Sequence, residues 1–324
     1  MMNMFEGNMD NHEKPILCGI VNVTPDSFSD GGKWSDTEKA VAHALDLVEQ
    51  GAGMLDIGGE STRPGSTFVP VEEEIARVVP VITELKKRTT VPLSIDTWKS
   101  EVAKAALDAG ADIVNDITGL AGDIDMAKTI AAYNAQAVIM FNPVIFRPEH
   151  PSCKIFPAFN LNNSNEHFFP EEEKKLMKDL PIFFAFYHYM VKMTTVAREA
   201  GIPRNNIMID PGIGFGLTKQ ENLFLIKNLD AIQNRLPYPI FLGVSRKRFL
   251  VNILEKSGLN VDPSSAEGFQ NRDFASAILT AIATRQKVKV LRVHAIREHK
   301  IALEIAHAVQ YAEFADDTNF AAYK

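Results

Sequence analysis

"ILCGIVNVTPDSFSDGG", residues 16–32, begins with an apolar run that stops at Asn22 and then passes into small and polar residues. The run is short, β-branched and apolar throughout, as in a strand covered on both faces in a parallel sheet. A plain turn would need fewer residues than the loop that follows. That loop carries Asp26 and Asp30 and ends in Gly31-Gly32, whose backbone freedom suits a hinge. One asparagine at a strand tip, backed by an aspartate-bearing loop, predicts a site that handles something charged.

The same unit recurs along the chain. Apolar runs at residues 16–21, 54–57, 93–95, 113–114, 137–140, 207–209, 240–244 and 288–293 read as strands. Helical periodicity falls between them at 37–50, 71–87, 100–109, 125–133, 182–200 and 220–228, in a longer split segment over 249–284, and at 298–312. Strands alternating with helices indicate βαβ units. Eight units without a break in composition predict an α/β fold, a single-domain (β/α)8 TIM barrel, an architecture of typically about 250 residues. The alternative is an open doubly wound sheet that binds at a switch point.

The residues just after the strands weigh for the barrel: Asn22, Gly58-Gly59-Glu60, Asp96, Asn115-Asp116, Phe141-Asn142, Asp210, Ser245-Arg246-Lys247, and Arg292 with His294. A barrel brings all of these to one mouth. Helix capping would account for any single one, but several are followed by Pro or Gly rather than by a helix start. The barrel is expected over 16–312, with 1–15 an extended or disordered leader and 313–324 a tail. From 142 to 180 no clear period is visible; this excursion after the fifth strand holds Phe146, Phe156, Phe159, Phe168 and Phe169. Aromatic content of that kind argues against disorder and predicts that the segment docks, as a lid over the mouth or as an interface element, with the lid favoured.

The chain has 324 residues, 46% hydrophobic and 23% charged, with a net charge of −7. An acidic balance weighs against a nucleic-acid or acidic-membrane partner, so an anionic substrate must meet a local basic cluster. No apolar run approaches the ~18 residues of a membrane span. Two cysteines, Cys18 and Cys153, exclude a disulfide framework and fit the cytoplasm. Asn22 and Asn162 begin Asn-x-Ser/Thr matches, read as chance without a secretory signal.

Within the strand-end set, Arg63, Lys247, Arg292 and His294 form a basic lining suited to a phosphate-rich ligand. Asp96, Asn115 and Asp210 form a lining that seeks donors on a flat heterocycle. GIGFG alone is a weak phosphate loop, SRK alone a weak anion site, and His294 alone would more often be structural.

Taken in order, NVTPDSFSDGG, DIGGESTRPGS, SIDT, VNDITG, DPGIGFG, GVSRK and RVH closely resemble the dihydropteroate synthase family, from about Ile16 to Ala312. The resemblance implies a TIM barrel that joins 6-hydroxymethyl-7,8-dihydropterin pyrophosphate to p-aminobenzoate, releasing pyrophosphate and giving 7,8-dihydropteroate for folate synthesis, with sulfonamides as mimics of the second substrate. It implies that Asp96, Asn115, Asp210 and Lys247 hold the pterin. Asn22, Arg292 and His294 would hold the pyrophosphate, with Asn22 also a Mg²⁺ ligand. Thr62, Arg63, Pro64 and Ser245 would lie on the second-substrate side under Phe28. The implied chemistry is SN1-like, with no covalent nucleophile, and a homodimer is expected.

Three departures stand out. Ala295 replaces an expected Asp after Arg-Val-His, Phe141 replaces a His after Met140, so that a polar contact near the pterin pocket is expected to be missing, and the 142–180 excursion is long and aromatic. They motivate, as alternatives, a divergent paralogue with weakened or lost activity and a pterin-dependent methyltransferase-like protein. The basic quartet argues against the latter, which has no pyrophosphate to bind.

Overall fold

A computed structural model describes residues 13–24 and 33–314. Phe28, Asp26 and Asp30 lie outside the described residues. Eight parallel strands form one sheet: β1 (Ile16–Asn22), β2 (Met54–Gly58), β3 (Leu93–Asp96), β4 (Ile113–Asp116), β5 (Gln136–Met140), β6 (Ile207–Asp210), β7 (Phe241–Gly243) and β8 (Val290–Val293). Their order is β6-β5-β4-β3-β2-β1-β8-β7. An isolated parallel bridge between Ile209 and Ile240 closes the ring between β6 and β7, helped by the Ile209 amide donating to the Pro239 carbonyl at 3.0 Å. The fold is the expected barrel.

Helices surround it: α1 (Lys33–Gln50), α2 (Val71–Arg88), α3 (Ser100–Asp108), α4 (Met126–Ala132), α5 (Ser164–Phe168), α6 (Glu171–Asp179), α7 (Ile182–Glu199), α8 (Lys219–Lys227), α9 (Leu229–Arg235), α10 (Arg248–Lys256), α11 (Ala266–Arg285) and α12 (Ile296–Gln310). Strand alternation sorts the side chains into two sets. Leu17, Val21, Leu55, Ile57, Ile139, Ile209 and Leu291 join the large core shared with the helices. Cys18, Met54, Ile113, Val138, Met208, Phe241 and Val290 form a separate buried cluster. That cluster is the barrel's interior floor, one inward residue from each of seven strands.

The excursion is more regular than its sequence suggested. It contains a 3-10 turn at Pro143–Ile145 and the helices α5 and α6. Neither helix has a readable apolar stripe: α5 has five residues, and α6, EEEKKLMKD, is polar almost all round. The excursion docks as expected, and its phenylalanines divide. Phe146, Phe168 and Phe169 enter the outer core, while Phe159 joins Trp98, Ile117 and Met140 in a cluster at the strand ends, with Phe156 and Phe215 packed on it.

Phe141 also differs from expectation. The resemblance suggested that a polar contact near the ligand pocket is lost there. Yet Phe141 is fully buried in the outer core, edge-on to Phe186 and Tyr189 of α7 at 5.4 Å from each. The strand-end parity that sends Met140 inward sends Phe141 outward, so this departure does not reach the barrel mouth.

Candidate active site

Two residues beyond the apolar floor, five of the strands present a polar inward side chain, while β1, β5 and β7 place Ile20, Met140 and Gly243 there. The polar five are Asp56, Asp96, Asn115, Asp210 and Arg292, on β2, β3, β4, β6 and β8, of which Asp96 and Asp210 are the last residues of their strands. Arg292 organises the layer: Nε donates to Asp56 Oδ2 at 2.5 Å and Nη2 to Asp96 Oδ2 at 2.6 Å. Asn115 Nδ2 donates to the same Asp56 oxygen at 3.0 Å. Asp56 Oδ1 has no hydrogen-bond partner among the described residues.

Asp56 was not among the residues singled out from the sequence. It sits inside an apolar strand, MLDIG, and is fully buried. The available signal was parity: Met54, Asp56 and Gly58 share one face of β2, and an unpaired charge on a buried face demands a partner.

Burial pushes the Asp96 carboxyl up; Arg292 pulls it down, and Asp56 and Glu74 push it up further. Burial likewise raises Asp210 to about 6, against the pull of the Gly212 amide, Lys247 and Arg292. Asp210 Oδ1 accepts from that Gly212 amide at 2.7 Å. Gly212 has φ +71°, and a Cβ there would lie 1.9 Å from the Phe141 carbonyl oxygen, so only glycine allows the turn after β6.

Lys247 is lowered to about 8, first by burial, with Arg292 and Arg63 adding to the fall and Asp210 and Asp96 opposing it. Its ammonium lies 4.7 Å from the Phe215 ring centroid. At Gly214 (φ +87°) a Cβ would fall 2.7 Å from Lys247 Cδ, so the lysine stem needs the bare backbone of the GIGFG turn. His294 is held well below its ordinary value by burial, then by Arg246, Arg292, Arg63 and Lys247, and is therefore a neutral imidazole. Its Nδ1 pairs with Ser245 Oγ at 2.9 Å. Arg246, with φ +56°, turns away from the mouth, donating Nε and Nη2 to Asp273 at 2.7 and 3.0 Å.

The structure thus brings Asp96, Asn115, Asp210, Lys247, Arg292, His294 and Ser245 together, with Arg63 close enough to act on Lys247 and His294. Asn22 ends β1 beside Gly58. Thr62 is half-buried, and Arg63 and Pro64 are exposed, on the loop after β2. That loop is closed at its base by Glu60: Oε1 accepts from the Val69 amide at 2.7 Å and Oε2 from Trp98 Nε1 at 2.7 Å. Lys99, fully buried and also missed from the sequence, donates to the Val69 carbonyl and to Glu74 Oε2, both at 2.6 Å. Asp116, by contrast, is structural. It accepts from the Thr118 and Leu120 amides at 2.7 and 2.9 Å and folds the loop after β4.

The sequence and the fold also match known proteins. The sequence profile of the family described as Pterin binding enzyme matches residues 18–294. A dihydropteroate synthase from Clostridium beijerinckii is 42% identical over 238 residues, 74% of this chain and 77% of the relative. The chain belongs to the dihydropteroate synthase family. Among solved dihydropteroate synthases, that of Clostridium difficile, studied in the presence of pteroic acid, has TM-score 0.75 at 33% identity, covering 93% of this chain and 98% of that one. The Xanthomonas albilineans dihydropteroate synthase with 4-aminobenzoic acid has TM-score 0.74 at 36% identity, covering 93% and 94%.

Proposed function

We infer that this chain transfers the pterinylmethyl group of 6-hydroxymethyl-7,8-dihydropterin pyrophosphate to the amine of p-aminobenzoate, forming 7,8-dihydropteroate and pyrophosphate. The observation that carries the reading is the polar inward layer of Asp96, Asn115 and Asp210, set directly beside Lys247, Arg292 and His294. The Xanthomonas relative's 4-aminobenzoic acid supports the second substrate.

In this assignment Asp210 and Asn115 meet the edge of the flat pterin, and Asp96 does so from β3. Arg292 and Arg63 supply fixed positive charge where pyrophosphate develops charge as it leaves. In the tautomer in which Nδ1 accepts from the Ser245 hydroxyl, His294 offers a neutral Nε2–H donor to a phosphate oxygen without adding another desolvated cation. Once pyrophosphate departs, the electron-rich pterin stabilises the cation and the aniline nitrogen attacks it. Thr62, Arg63 and Pro64 lie on the side from which it approaches, with Phe28 assigned there by the family motif. The decisive assay supplies the pterin pyrophosphate with and without p-aminobenzoate. Formation of dihydropteroate with stoichiometric pyrophosphate is expected; no product with both substrates present overturns the reading.

We also propose that Mg²⁺ accompanies the pyrophosphate and takes the Asn22 side-chain oxygen as a ligand. Magnesium keeps much of its water and is commonly held through substrate phosphates, so one neutral oxygen at a strand tip fits such a site. Among the described residues no group of three or more His, Cys, Asp or Glu is arranged to hold a metal without substrate. Full turnover in chelator would remove the metal from the proposal.

The exposed apolar row of Phe274, Ile278 and Ile282 on α11, beside Ile301, Ile305 and Val309 on α12, supports a homodimer through these helices. Two free, buried cysteines support a cytoplasmic location. No helix among the described residues is long and apolar enough to cross a membrane.

A further inference from the structure

The excursion after β5 is tied to the turn after β6 by a group of contacts that no catalytic assignment uses. Arg147 Nη1 and Nη2 each donate to a Glu221 carboxylate oxygen at 2.8 Å. Nη2 also donates to the Gly216 carbonyl at 2.8 Å. The same carbonyl accepts from Ser152 Oγ at 2.6 Å and Cys153 Sγ at 3.2 Å. Glu221 is itself fixed, since it completes the capping box at the start of α8 with Thr218. A bidentate pair anchored on a capped helix is a rigid fastening.

Just beyond this fastening, two consecutive residues reach opposite sides of the mouth. The Ile155 carbonyl accepts from the Gly65 amide at 3.1 Å, at the tip of the loop that carries Thr62, Arg63 and Pro64. The Phe156 ring stacks on Phe215, with centroids 5.6 Å apart and planes inclined by 27°. Phe215 is the ring beside the Lys247 ammonium. The loop after β2 is therefore held twice: at its base by Glu60 and Lys99, and at its tip by the excursion. The base hold fixes where the loop leaves the barrel. The tip hold fixes how far Arg63 and Pro64 stand from Phe215 and Lys247.

We propose that Phe156 is a positioning residue for the p-aminobenzoate subsite: with Ile155 it spans the gap between the Arg63–Pro64 loop and Phe215 and sets the width of the slot that the aromatic amine enters. The proposal rests on the synthase reading given above. A flat arylamine carboxylate needs a narrow apolar slot with positive charge at its rim. Phe215 offers the apolar wall, and Arg63 offers the charge. The contacts of Ile155 and Phe156 across the mouth go to Gly65 and Phe215 rather than to Asp96, Asn115 or Asp210. Phe156 should therefore act on one substrate and spare the other.

The test is steady-state kinetics of Phe156→Ala with each substrate varied in turn. The expected result is a KM for p-aminobenzoate raised about tenfold, with the KM for the pterin pyrophosphate within twofold of the parent. Phe156→Tyr, which keeps the stacking ring, should restore the parent value. Phe168→Ala, which empties a site in the outer core of the same excursion, should lower the melting temperature and leave both KM values in place. If Phe156→Ala raises both KM values alike, changes neither, or lowers only kcat, the proposal is overturned while the synthase reading stands. If the parent protein forms no dihydropteroate, both fall together.

Discussion

The barrel interior holds two adjacent rows of side chains with opposite chemistry. The floor, with Cys18, Met54, Ile113, Val138, Met208, Phe241 and Val290, is buried and apolar. The row above it, two residues further along the strands, carries Asp56, Asp96, Asn115, Asp210 and Arg292. The same strands, twist and burial produce both. The floor stabilises the barrel by removing apolar surface from water. The upper row costs stability, because each buried charge must find a partner, and Arg292 meets this demand by bridging two carboxylates. Raised carboxyl values at Asp96 and Asp210 and a lowered lysine at Lys247 mark the cost. Perturbations of this kind collect where an active site is built.

Mutations that break the comparison should therefore fall into separate readouts. The largest effect belongs to the floor. Phe241→Ala should lower unfolding stability by about 3–5 kcal/mol while the remaining folded enzyme keeps its pterin affinity, as measured by denaturant titration alongside calorimetry. Loss of pterin binding in the folded fraction would show that the rows are not independent.

Asp210→Asn probes the upper row. The amide oxygen can still accept from Gly212, but a donor replaces the second carboxylate oxygen. Pterin affinity should drop by about 1.5–3 kcal/mol, with stability unchanged or higher, since a desolvated charge is removed. Unchanged calorimetric binding would take Asp210 out of the site.

The next effect is a pH profile. As pH falls, Asp96 near about 7 and then Asp210 near about 6 become protonated and lose acceptor capacity; above about 8 Lys247 loses its charge. The ratio kcat/KM for the pterin substrate should be bell-shaped between these limits, falling roughly tenfold per pH unit outside them. A flat profile from pH 5 to 9 would mean that none of these groups matters in the free enzyme. The smallest effect concerns the rim. Ala295 is the N-cap of α12 and makes no side-chain cap bond. Ala295→Asp should raise stability by about 0.5–2 kcal/mol, a gain visible as a higher melting temperature without any change in the floor.

The barrel was legible because most strands are apolar runs with a polar residue or glycine at or just beyond the end. The upper row was legible wherever its member is that terminal residue, as with Asp96 and Asp210. Asp56 escaped because β2 continues past it through Ile57, so no boundary drew attention to it. Phe141 was misplaced because a single step of strand parity decides between mouth and outer core. Lys99 carries no signal in its local sequence; its long-range neighbours Glu60, Glu74 and Val69 explain its burial. Helix α9, directly after α8, was not expected. Its seven residues follow Asn228, which ends one helix and starts the next, and so short a helix leaves little periodicity to read.

The closure between β6 and β7 has a dynamic consequence. Every other neighbouring strand pair is laddered over several residues, whereas this seam is joined at Ile209 and Ile240 by an isolated bridge. Asp210 ends one lip of the seam, and Gly243 leads to Ser245 and Lys247 on the other. The least-laced line in the barrel therefore runs between two residues assigned to the same ligand. A pterin that engages Asp210 and Lys247 together would act as a suture across it. The amide of Ile209 should exchange its hydrogen faster than that of Ile139 in the empty enzyme and slow selectively when pterin is added; equal slowing all round the barrel would show that the seam is no looser than the rest.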